Sequence, residues 1–420
     1  MKWIHWLKPG LQLKRWILIG VLGLLLISIP AGHIVVYFFD IHWMIMVLFG
    51  VAGCFLFGVA FKRGFTSLLK NLQTTPFTQG VHRNSKHIQR MIYDKQVLAK
   101  GRKVVVIGGG TGLSILLRGL KQMTSNITAV VTVADDGGGS GILREDLGML
   151  PPGDIRSCIL ALSEMEPTME NLLQYRFQEG SLKGQSFGNL FIASMNGISG
   201  SFEEAIKKMN EVLAVKGQVY PVTLENITLY AQLKNGKIIK GESKIPEKSL
   251  EEDSPIDFVF LRPKKASTLP EILNAIQEAD AIVLGPGSLY TSIIPNLLIN
   301  PVAESINKSK ATTFYLPNIM TQPGETDQFS VRHHVEALLK NTGLKRIDYV
   351  IANKEKVPVQ IEEKYALEGA KMVLPDENDK VALKEQQIHL VEEDLVEIKN
   401  DYVRHDAYKT SKFIEYYLSN

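Results

Sequence analysis

Four short stretches of the chain share one pattern, an apolar run that stops at a cluster of Gly, Asn or Asp. They are KVVVI before residues 108–112, ITAVVTV before 135–141, AIVL before 285–288 and FYL before Asn318. Nearly continuous apolar runs are typical of strands in a parallel sheet that is covered on both faces. The carboxyl ends of such strands lie side by side, so these clusters are expected to line one crevice, where folds of this kind bind ligands.

Helical and strand patterns alternate through most of the chain. A strand over 103–107, a helix over 114–123 and a strand over 127–134 predict a βαβ unit, and the alternation resumes from residue 270 onwards. Between them, ITLYAQL and KIIKGES flank Asn235 and Gly236, which predicts a hairpin with a primed turn. We therefore predict a three-layer, Rossmann-like α/β domain over residues 101–420, with a mostly parallel sheet and a β-rich insertion over about 217–262.

The first 70 residues have a different pattern. Neither 17–39 nor 41–61 contains a residue with a fixed charge, and each stretch is near the ~20 residues that a helix needs to cross a bilayer. Lys and Arg flank the two stretches but are absent from the turn between them, which predicts that both ends are cytoplasmic. We predict a two-helix transmembrane hairpin in residues 1–70 and a connector over 71–100, with the protein in the cell membrane as a multi-pass protein. A signal peptide or a buried helix pair is the alternative.

Composition excludes several classes of protein. The two cysteines, Cys54 and Cys158, lie in different regions, so neither a disulfide framework nor a cysteine zinc site is expected. The formal net charge is +3, and no basic stripe with interleaved aromatics occurs, so no nucleic-acid surface is expected.

The first glycine cluster favours contact with an anion. Gly109, Gly110, Thr111 and Gly112 lie between a predicted strand and a predicted helix, where backbone N–H groups and the helix N-terminus can face a phosphate. The cluster lacks the Lys of a P-loop, and Leu113 stands where the third glycine of the dinucleotide fingerprint belongs. A tight turn without a ligand is the alternative.

Acidic residues follow the second strand. Asp135 and Asp136 are placed to accept hydrogen bonds from ribose hydroxyls or to hold a divalent cation, although Asp before glycines is also ordinary turn chemistry. Asp154 follows Pro151, Pro152 and Gly153 and precedes an apolar helical pattern, so we predict that it caps that helix.

The third cluster joins a rigid turn to hydroxyl groups. Gly285 and Gly287 allow a close approach of the backbone to a ligand, while Ser288 and Tyr290 add hydroxyl donors. The flanks of Ser288 do not form a Gly-x-Ser-x-Gly elbow, so no catalytic nucleophile is expected there.

Three polar residues are predicted at the same edge of the sheet. They are Asn189, Asn318 and Glu325, and each is first interpreted as a helix-cap or turn residue.

Several of these motifs together resemble a known family. VVVIGGGTGLSILLRGLK, VTVADDGGGSGILRE, LPPGDIRSCILAL, GNLFIA, ADAIVLGPGSLYTSIIPNLL, MTQPGET and RHD are similar to the gluconeogenesis factor family of bacteria, a branch of the larger family typified by 2-phospho-L-lactate transferase. The resemblance covers about residues 103–406 and leaves the N-terminal hairpin outside. Two positions depart from the pattern: Gln185 stands where His is expected, and GGGSG replaces the more usual GGSSG.

The resemblance implies a ligand and its site. Gluconeogenesis factors are associated with UDP-sugars, notably UDP-N-acetylglucosamine, with carbon flow into cell-wall precursors and with cell shape. The resemblance implies no required cofactor, a cell-envelope precursor enzyme or regulator as partner, and leaves a divalent cation and a homo-oligomer open. The site that it implies comprises Gly109, Gly110, Thr111, Gly112, Asp135, Asp136, Asn189, Gly285, Gly287, Ser288, Tyr290, Tyr365 and Arg404.

Two late residues in that set have a clear physical reason. The guanidinium of Arg404 suits a diphosphate, and the ring of Tyr365 can stack on a uracil base. A surface ion pair and a half-buried aromatic are their alternative readings.

Three functions agree with the sequence. The leading expectation is a membrane-tethered UDP-sugar sensor that catalyses no reaction, because no convincing nucleophile or base lines the predicted crevice. The alternative is a transferase of the 2-phospho-L-lactate type, with Asp135 and Asp136 holding a metal ion and a nucleotide-activated donor as substrate. A scaffold whose glycine loops are only turns is the third.

Overall fold

The computed structural model describes residues 98–164 and 167–419. The predicted membrane spans and all but the last three residues of the predicted connector lie outside these ranges. Within them, no helix is long and apolar enough to cross a membrane. The described residues belong to one compact unit that begins at Leu98.

Twelve strands are found in the described residues. They are, in chain order, β1 (Val104–Gly108), β2 (Ile127–Val131), β3 (Gln218–Pro221), β4 (Thr228–Leu233), β5 (Ile238–Lys240), β6 (Ile256–Arg262), β7 (Ala281–Leu284), β8 (Thr312–Tyr315), β9 (Tyr349–Asn353), β10 (His389–Glu393), β11 (Val396–Lys399) and β12 (Tyr402–His405).

Fourteen α-helices are found in the same ranges. They are α1 (Gly110–Leu120), α2 (Gly138–Leu147), α3 (Gly153–Leu162), α4 (Pro167–Gln174), α5 (Phe187–Ser199), α6 (Phe202–Val212), α7 (Ile245–Glu251), α8 (Pro270–Glu278), α9 (Ile294–Leu297), α10 (Val302–Lys308), α11 (Val331–Thr342), α12 (Val359–Leu367), α13 (Glu377–Glu385) and α14 (Ala407–Ser419).

Seven parallel strands form the central sheet, in the order β10-β9-β8-β7-β1-β2-β3. Every residue of β1 and of β7 is buried. Because successive side chains of a strand point to opposite faces, helices must cover both faces of the sheet. The prediction of a mostly parallel α/β sheet is confirmed.

The strand order reverses beside β1. The chain runs outward from β1 through β2 to β3, and then returns to add β7 on the other side of β1. In open α/β sheets, loops on either side of such a switch point leave a crevice at the carboxyl ends of the strands. The first and third glycine clusters follow β1 and β7, so they lie at this crevice.

The predicted β-rich insertion forms a separate antiparallel sheet. It has the order β5-β4-β6, and β4 and β5 are joined at Asn235 and Gly236, with Gly236 at φ 87°. Tyr230 and Phe260 stack across β4 and β6, with ring centroids 5.2 Å apart. The start of the insertion differs from the prediction, because β3 pairs with β2 and belongs to the central sheet.

One hairpin was not predicted. β11 and β12 pair antiparallel across Asn400 and Asp401, which have φ values of 51° and 61°. Asn and Asp tolerate this left-handed conformation better than most residues, so they suit a two-residue primed turn. The signal for this turn in the sequence was the pair Asn400–Asp401 itself.

Candidate functional site

The loops after β1 and β7 pack backbone against backbone. A Cβ atom on Gly112 would lie 2.7 Å from the carbonyl oxygen of Pro286, and one on Gly108 would lie 3.8 Å from Cα of Gly285. Buried Asn296 holds the two loops together, since its Nδ2 donates to the carbonyls of Gly108 at 3.0 Å and Ser292 at 2.7 Å. The structure therefore brings the first and third clusters together, as predicted.

Three helices begin at this edge of the sheet. Their N-caps are Gly109 for α1, Gly137 for α2 and Pro152 for α3. A helix N-terminus carries a partial positive charge and several unpaired N–H groups, so each is favourable for a negative group.

Asp154 occupies one of these N-termini. Its carboxylate accepts a hydrogen bond from the N–H of Gly110, and burial, with a smaller effect of Asp135, raises the pKa of Asp154 to about 6. The prediction that Asp154 caps its own helix was wrong: Pro152 is the N-cap of α3, and no side chain caps that helix. The amide of Gly110, expected to face a ligand, faces this carboxylate instead.

Asp135 and Asp136 also bind main-chain groups. Asp135 Oδ1 accepts from the N–H of Gly137 at 2.9 Å, and burial raises the pKa of Asp135. Asp136 Oδ1 accepts from the N–H of Ser243 at 2.9 Å. No group of three His, Cys, Asp or Glu side chains in the described ranges is arranged to hold a metal ion. The divalent cation stays a prediction, and no chemical step is derived from it.

Glu325 lies at the N-terminus of a short helical segment, Leu289–Ile293, which follows Ser288 of the third cluster. It accepts from the N–H groups of Tyr290 and Thr291, and Thr291 Oγ1 lies 3.3 Å from its Oε1. Burial raises the pKa of Glu325 to about 7. Tyr290 is 3% exposed and its ring packs edge-on against Phe329, so the side chain of this predicted site residue is buried and its N–H is bound to Glu325.

A short chain of side-chain hydrogen bonds connects the ends of β7 and β8. Gln322 Nε2 donates to Ser288 Oγ at 2.7 Å, and Asn318 Nδ2 donates to Gln322 Oε1 at 2.9 Å. The third and fourth clusters are therefore adjacent. Ser288 is a hydrogen-bond acceptor here, and Gln322 is a residue that the sequence did not single out.

Asn189 lies on the β2 side of the crevice. It stands in the first turn of α5, where Ser186 Oγ caps its N–H at 3.2 Å, while its Oδ1 is buried and has no hydrogen-bond partner among the described residues. In the same part of the chain Gln185 Oε1 is also buried without a partner, and it would lie 2.8 Å from a Cβ on Gly139. Arg156 packs closely against α5, since a Cβ added to Gly188 would lie 2.6 Å from Cδ of Arg156.

Tyr365 and Arg404 lie together on the β8 side. The hydroxyl of Tyr365 accepts from the N–H of Val403 at 3.0 Å, and the guanidinium carbon of Arg404 is 5.9 Å from the centroid of the Tyr402 ring. His405 hydrogen-bonds the carbonyl of Pro317, two residues after β8, and burial lowers the pKa of His405 to about 4. The β11–β12 hairpin thus carries Arg404 close to the carboxyl end of β8, and Tyr365 of α12 is bonded to the same hairpin.

Glu242 reaches the crevice from the insertion and was missed by the sequence reasoning. Burial raises its pKa to about 8, and the charges of Asp135, Glu325, Asp136 and Asp154 add to that effect. No local pattern around GESKIP points to this contact, because the partners of Glu242 come from three distant parts of the chain.

A second groove lies elsewhere. It has a volume of about 590 Å³ and is lined by residues 297–304, 307–308, 342–343 and 345. None of the predicted site residues lines it, so the crevice at the carboxyl edge is the better candidate site.

Fold and crevice together define an open, doubly wound α/β protein whose glycine clusters meet at the switch point of the sheet. A family profile described as 2-phospho-L-lactate transferase CofD matches residues 104–396. The gluconeogenesis factor of Bacillus subtilis is 45% identical over 313 residues, which are 74% of this chain and 96% of that protein. The chain belongs to the gluconeogenesis factor family, within this larger transferase-like group.

Two further relatives bear on the fold and on the N-terminal region. A crystal structure of a Bacillus halodurans protein superposes with a TM-score of 0.72 at 45% identity, and the match covers 75% of this chain and 99% of that one. A Clostridium acetobutylicum relative is 49% identical over 417 residues, or 99% of this chain and 91% of its own. Its similarity therefore extends through residues 1–97, whereas the Bacillus matches leave about a quarter of the chain uncovered.

Proposed function

We propose that this protein is a regulator that binds a nucleotide sugar, UDP-N-acetylglucosamine, in the crevice at the ends of β1, β2, β7 and β8. In this proposal the protein itself catalyses no reaction and acts through an enzyme or regulator of cell-envelope precursor synthesis. It thereby adjusts carbon flow into cell-wall precursors and cell shape. The observation that carries the proposal is the meeting of the strand-end clusters at the switch point, together with membership of the gluconeogenesis factor family.

Backbone and side-chain groups of the crevice complement the diphosphate and the hydroxyls of such a ligand. The amides of Thr111 and Gly112 lie in the first turn of α1, so they have no carbonyl partner within the helix and suit phosphate oxygens. Arg404 forms no ion pair in the described part of the chain and can approach the same diphosphate. The carboxylates of Asp135 and Asp136 suit ribose or sugar hydroxyls as additional hydrogen-bond donors.

Binding by the full-length protein in detergent is tested by calorimetry with UDP-N-acetylglucosamine, UDP and GDP. We expect Arg404→Gln to weaken binding of the nucleotide sugar about tenfold to a hundredfold, because a charge-assisted hydrogen bond contributes about 1.5–3 kcal/mol. Arg262→Gln is the matched control, since Arg262 also lies over a tyrosine ring, 5.7 Å from Tyr230, but on the insertion sheet. Absence of heat at millimolar nucleotide sugar with the wild-type protein would overturn the proposal.

The membrane tether is part of the proposal and rests on the charge-free stretches 17–39 and 41–61. A chain beginning at Leu98 is expected to leave the membrane fraction, while the full chain resists extraction by carbonate. Equal extraction of the full chain and the shortened chain would contradict the membrane tether, and it would leave the proposal of ligand binding unchanged.

A transferase is the second candidate, favoured by the family profile over residues 104–396 and by the acidic groups around the crevice. It predicts transfer of a phospholactyl group from a guanylyl-activated donor to a hydroxyl of a deazaflavin acceptor, with release of GMP, and loss of that transfer in Asp136→Ala. Binding of the nucleotide sugar without any turnover of this donor favours the regulator.

A further inference from the structure

Three helices meet at their first turns on the β2 side of the crevice: α2, α3 and α5. Gly139 in the first turn of α2 faces the residue before the N-cap of α5, since a Cβ added to Gly139 would lie 2.8 Å from Gln185 Oε1. Arg156 in the first turn of α3 packs against the first turn of α5. Gly153, the first residue of α3, contacts Ser140 of α2. Each of the three helices therefore touches the other two where it begins.

The loop before α5 fixes the position of Gln185. The N–H of Gln185 donates to the carbonyl of Leu182 at 2.9 Å, and its carbonyl accepts from the N–H of Phe177 at 2.9 Å. Arg176 and Ser186 form an antiparallel bridge, which closes this loop. Gln185 is 6% exposed, and its Oε1 has no hydrogen-bond partner among the described residues. Buried polar atoms in proteins are nearly always hydrogen-bonded, so this oxygen requires an explanation.

Two further polar atoms beside Gln185 also lack partners within the described part of the chain. Asn189, in the first turn of α5, is 3% exposed, and its Oδ1 is buried without a hydrogen bond. The Nε of Arg156 is buried without one as well, although the residue as a whole is only partly buried. The cluster thus combines two acceptor oxygens with one donor nitrogen, all three of them unpaired.

This cluster adjoins the crevice through Asp154. The carboxylate of Asp154 attracts the charge of Arg156 and accepts a hydrogen bond from the N–H of Gly110 in the loop after β1. Tyr365 and Arg404 lie on the other side, near β8. The strand order β8-β7-β1-β2 separates the two sides by three strand spacings, about 14 Å. A nucleotide diphosphate sugar that is extended across the crevice can therefore contact both sides.

The unpaired atoms indicate which part of such a ligand fits here. Phosphate oxygens only accept hydrogen bonds, so a phosphate can satisfy Arg156 but neither amide oxygen. A sugar hydroxyl donates and accepts, and an acetamido group has one N–H and one carbonyl. In either orientation of its amide, each of Gln185 and Asn189 offers one oxygen and one NH₂ group. The cluster therefore matches a neutral group with both donors and acceptors better than it matches an anion.

We propose that Gln185, Asn189 and Arg156 form the sugar subsite of the crevice and hydrogen-bond the hydroxyl and acetamido groups of the bound nucleotide sugar. This inference rests on the proposed function, because it orients the same ligand. The sugar lies on the β2 side, the diphosphate at the glycine loops and the base on the β8 side. The three residues of the subsite determine specificity for the sugar, whereas Arg404 binds the nucleotide part. No covalent bond forms or breaks.

The test compares UDP-N-acetylglucosamine with UDP by calorimetry on the full chain in detergent. We expect the wild type to bind the nucleotide sugar more tightly than UDP. Gln185→Met and Asn189→Leu keep the approximate shape of each side chain but remove its hydrogen-bonding groups. Each is expected to weaken binding of the nucleotide sugar about three- to tenfold and to leave the affinity for UDP unchanged. Arg404→Gln is expected to weaken binding of both ligands.

Asn210→Leu is the matched control for Asn189→Leu. The Oδ1 of Asn210 is also buried and without a partner in the described ranges, and Asn210 also lies in a helix. It stands near the end of α6, which leads into β3, so it lies at the opposite, amino edge of the central sheet. The control is expected to bind both ligands as the wild type does.

Urea denaturation without ligand distinguishes recognition from a structural role. The unpaired oxygens of Gln185 and Asn189 have no hydrogen bond to lose, so both variants are expected to be at least as stable as the wild type. If one of the two variants does not fold, the other decides the test. A lower stability of both, with weaker binding of both ligands, would show that these side chains support the fold instead.

Two binding results would also overturn the inference. One is a wild type that binds UDP and UDP-N-acetylglucosamine equally well. The other is a pair of variants with the wild-type circular dichroism spectrum that weaken binding of both ligands equally, or of neither. In these cases the nucleotide sugar still binds, so the proposed function survives without this subsite. If the wild type binds neither ligand, the proposed function itself fails, and this inference fails with it.

Discussion

At the scale of single residues, the crevice depends on glycines that allow two backbones to touch. Gly112 is the clearest case. A Cβ added to Gly112 would lie 2.7 Å from the carbonyl oxygen of Pro286 and 2.9 Å from its carbonyl carbon. Both neighbours are backbone atoms and cannot rotate away. A side chain at this position must therefore separate the β1 loop from the β7 loop.

Gly112→Ala is predicted to destabilise the protein by about 1–3 kcal/mol, the usual effect of forcing extra atoms into a packed site. Gly197→Ala is the matched control, because Gly197 also lies in a helix, has ordinary φ and would place its Cβ in open space. The control is expected to gain about 0.5–1 kcal/mol from helix propensity. Urea denaturation followed by far-ultraviolet circular dichroism measures both, since all four Trp lie among the first 43 residues. Equal stability of the two variants would contradict the packing argument.

Residue-scale contacts also explain what the sequence could not show about the acidic groups. Asp154 has the local pattern of a helix cap, but its carboxylate binds the Gly110 amide of another element. Asp136 binds Ser243, a residue 107 positions away. Sequence patterns indicate hydrogen bonds between residues that are close along the chain. Both of these carboxylates instead accept hydrogen bonds from residues that are distant in sequence.

At the scale of elements, the sequence predicted those whose pattern is set by burial. β1 and β7 are continuous apolar runs because the sheet is covered on both faces, and the β4–β5 hairpin has a diagnostic Asn-Gly turn. The β11–β12 hairpin was missed because its strands have four residues each and only His405 is buried, so burial leaves little pattern in them. This hairpin carries Arg404, and its position decides whether that residue reaches a ligand.

Tyr365→Phe tests how that hairpin is held. The variant keeps the ring that the sequence suggested for stacking on uracil, but removes the hydroxyl that accepts from the Val403 N–H. We expect exchange of the amides of 396–405 to accelerate and the free energy of unfolding to fall by about 0.5–1.5 kcal/mol. If the hairpin positions Arg404, affinity for the nucleotide sugar also falls.

Hydrogen exchange and calorimetry on the same Tyr365→Phe sample separate the two roles of the residue. Unchanged exchange with unchanged affinity would show that the hydroxyl is dispensable and would leave stacking as the only role of Tyr365. Tyr408→Phe, an exposed tyrosine at the start of α14, is the control and is expected to alter neither measurement.

At the scale of the whole molecule, composition conceals the charge distribution that matters. The chain has a formal net charge of +3, yet five carboxyl groups gather around one crevice: Asp135, Asp136, Asp154, Glu242 and Glu325. Three of them lie at N-termini of helical segments, where the partial positive charge stabilises them. The parallel topology places these N-termini at one edge of the sheet, so the fold itself assembles the acidic crevice.

This distribution predicts how stability depends on pH without ligand. Glu242, with a pKa of about 8, and Glu325, at about 7, hold protons that the unfolded chain has already lost, so stability falls as pH rises toward those values. Buried His334 and His405 act in the opposite direction at lower pH. Their pKa values of about 4 lie below the unfolded value, so their contribution is lost as pH falls from 6.5 toward 4.

Above pH 6.5 the histidines become mostly neutral in the unfolded state as well, so the raised carboxyl pKa values dominate the slope. We expect the free energy of unfolding to fall between pH 6.5 and 8, by at most about 1.4 kcal/mol per pH unit for each group. Glu242→Gln cannot ionise and is expected to flatten this part of the curve, whereas Glu247→Gln leaves the wild-type slope. Urea denaturation at half-unit steps of pH, followed by circular dichroism, measures the three curves. An identical slope in wild type and Glu242→Gln would mean that Glu242 is already ionised at neutral pH in the folded protein, and the acidic crevice would then require a bound cation.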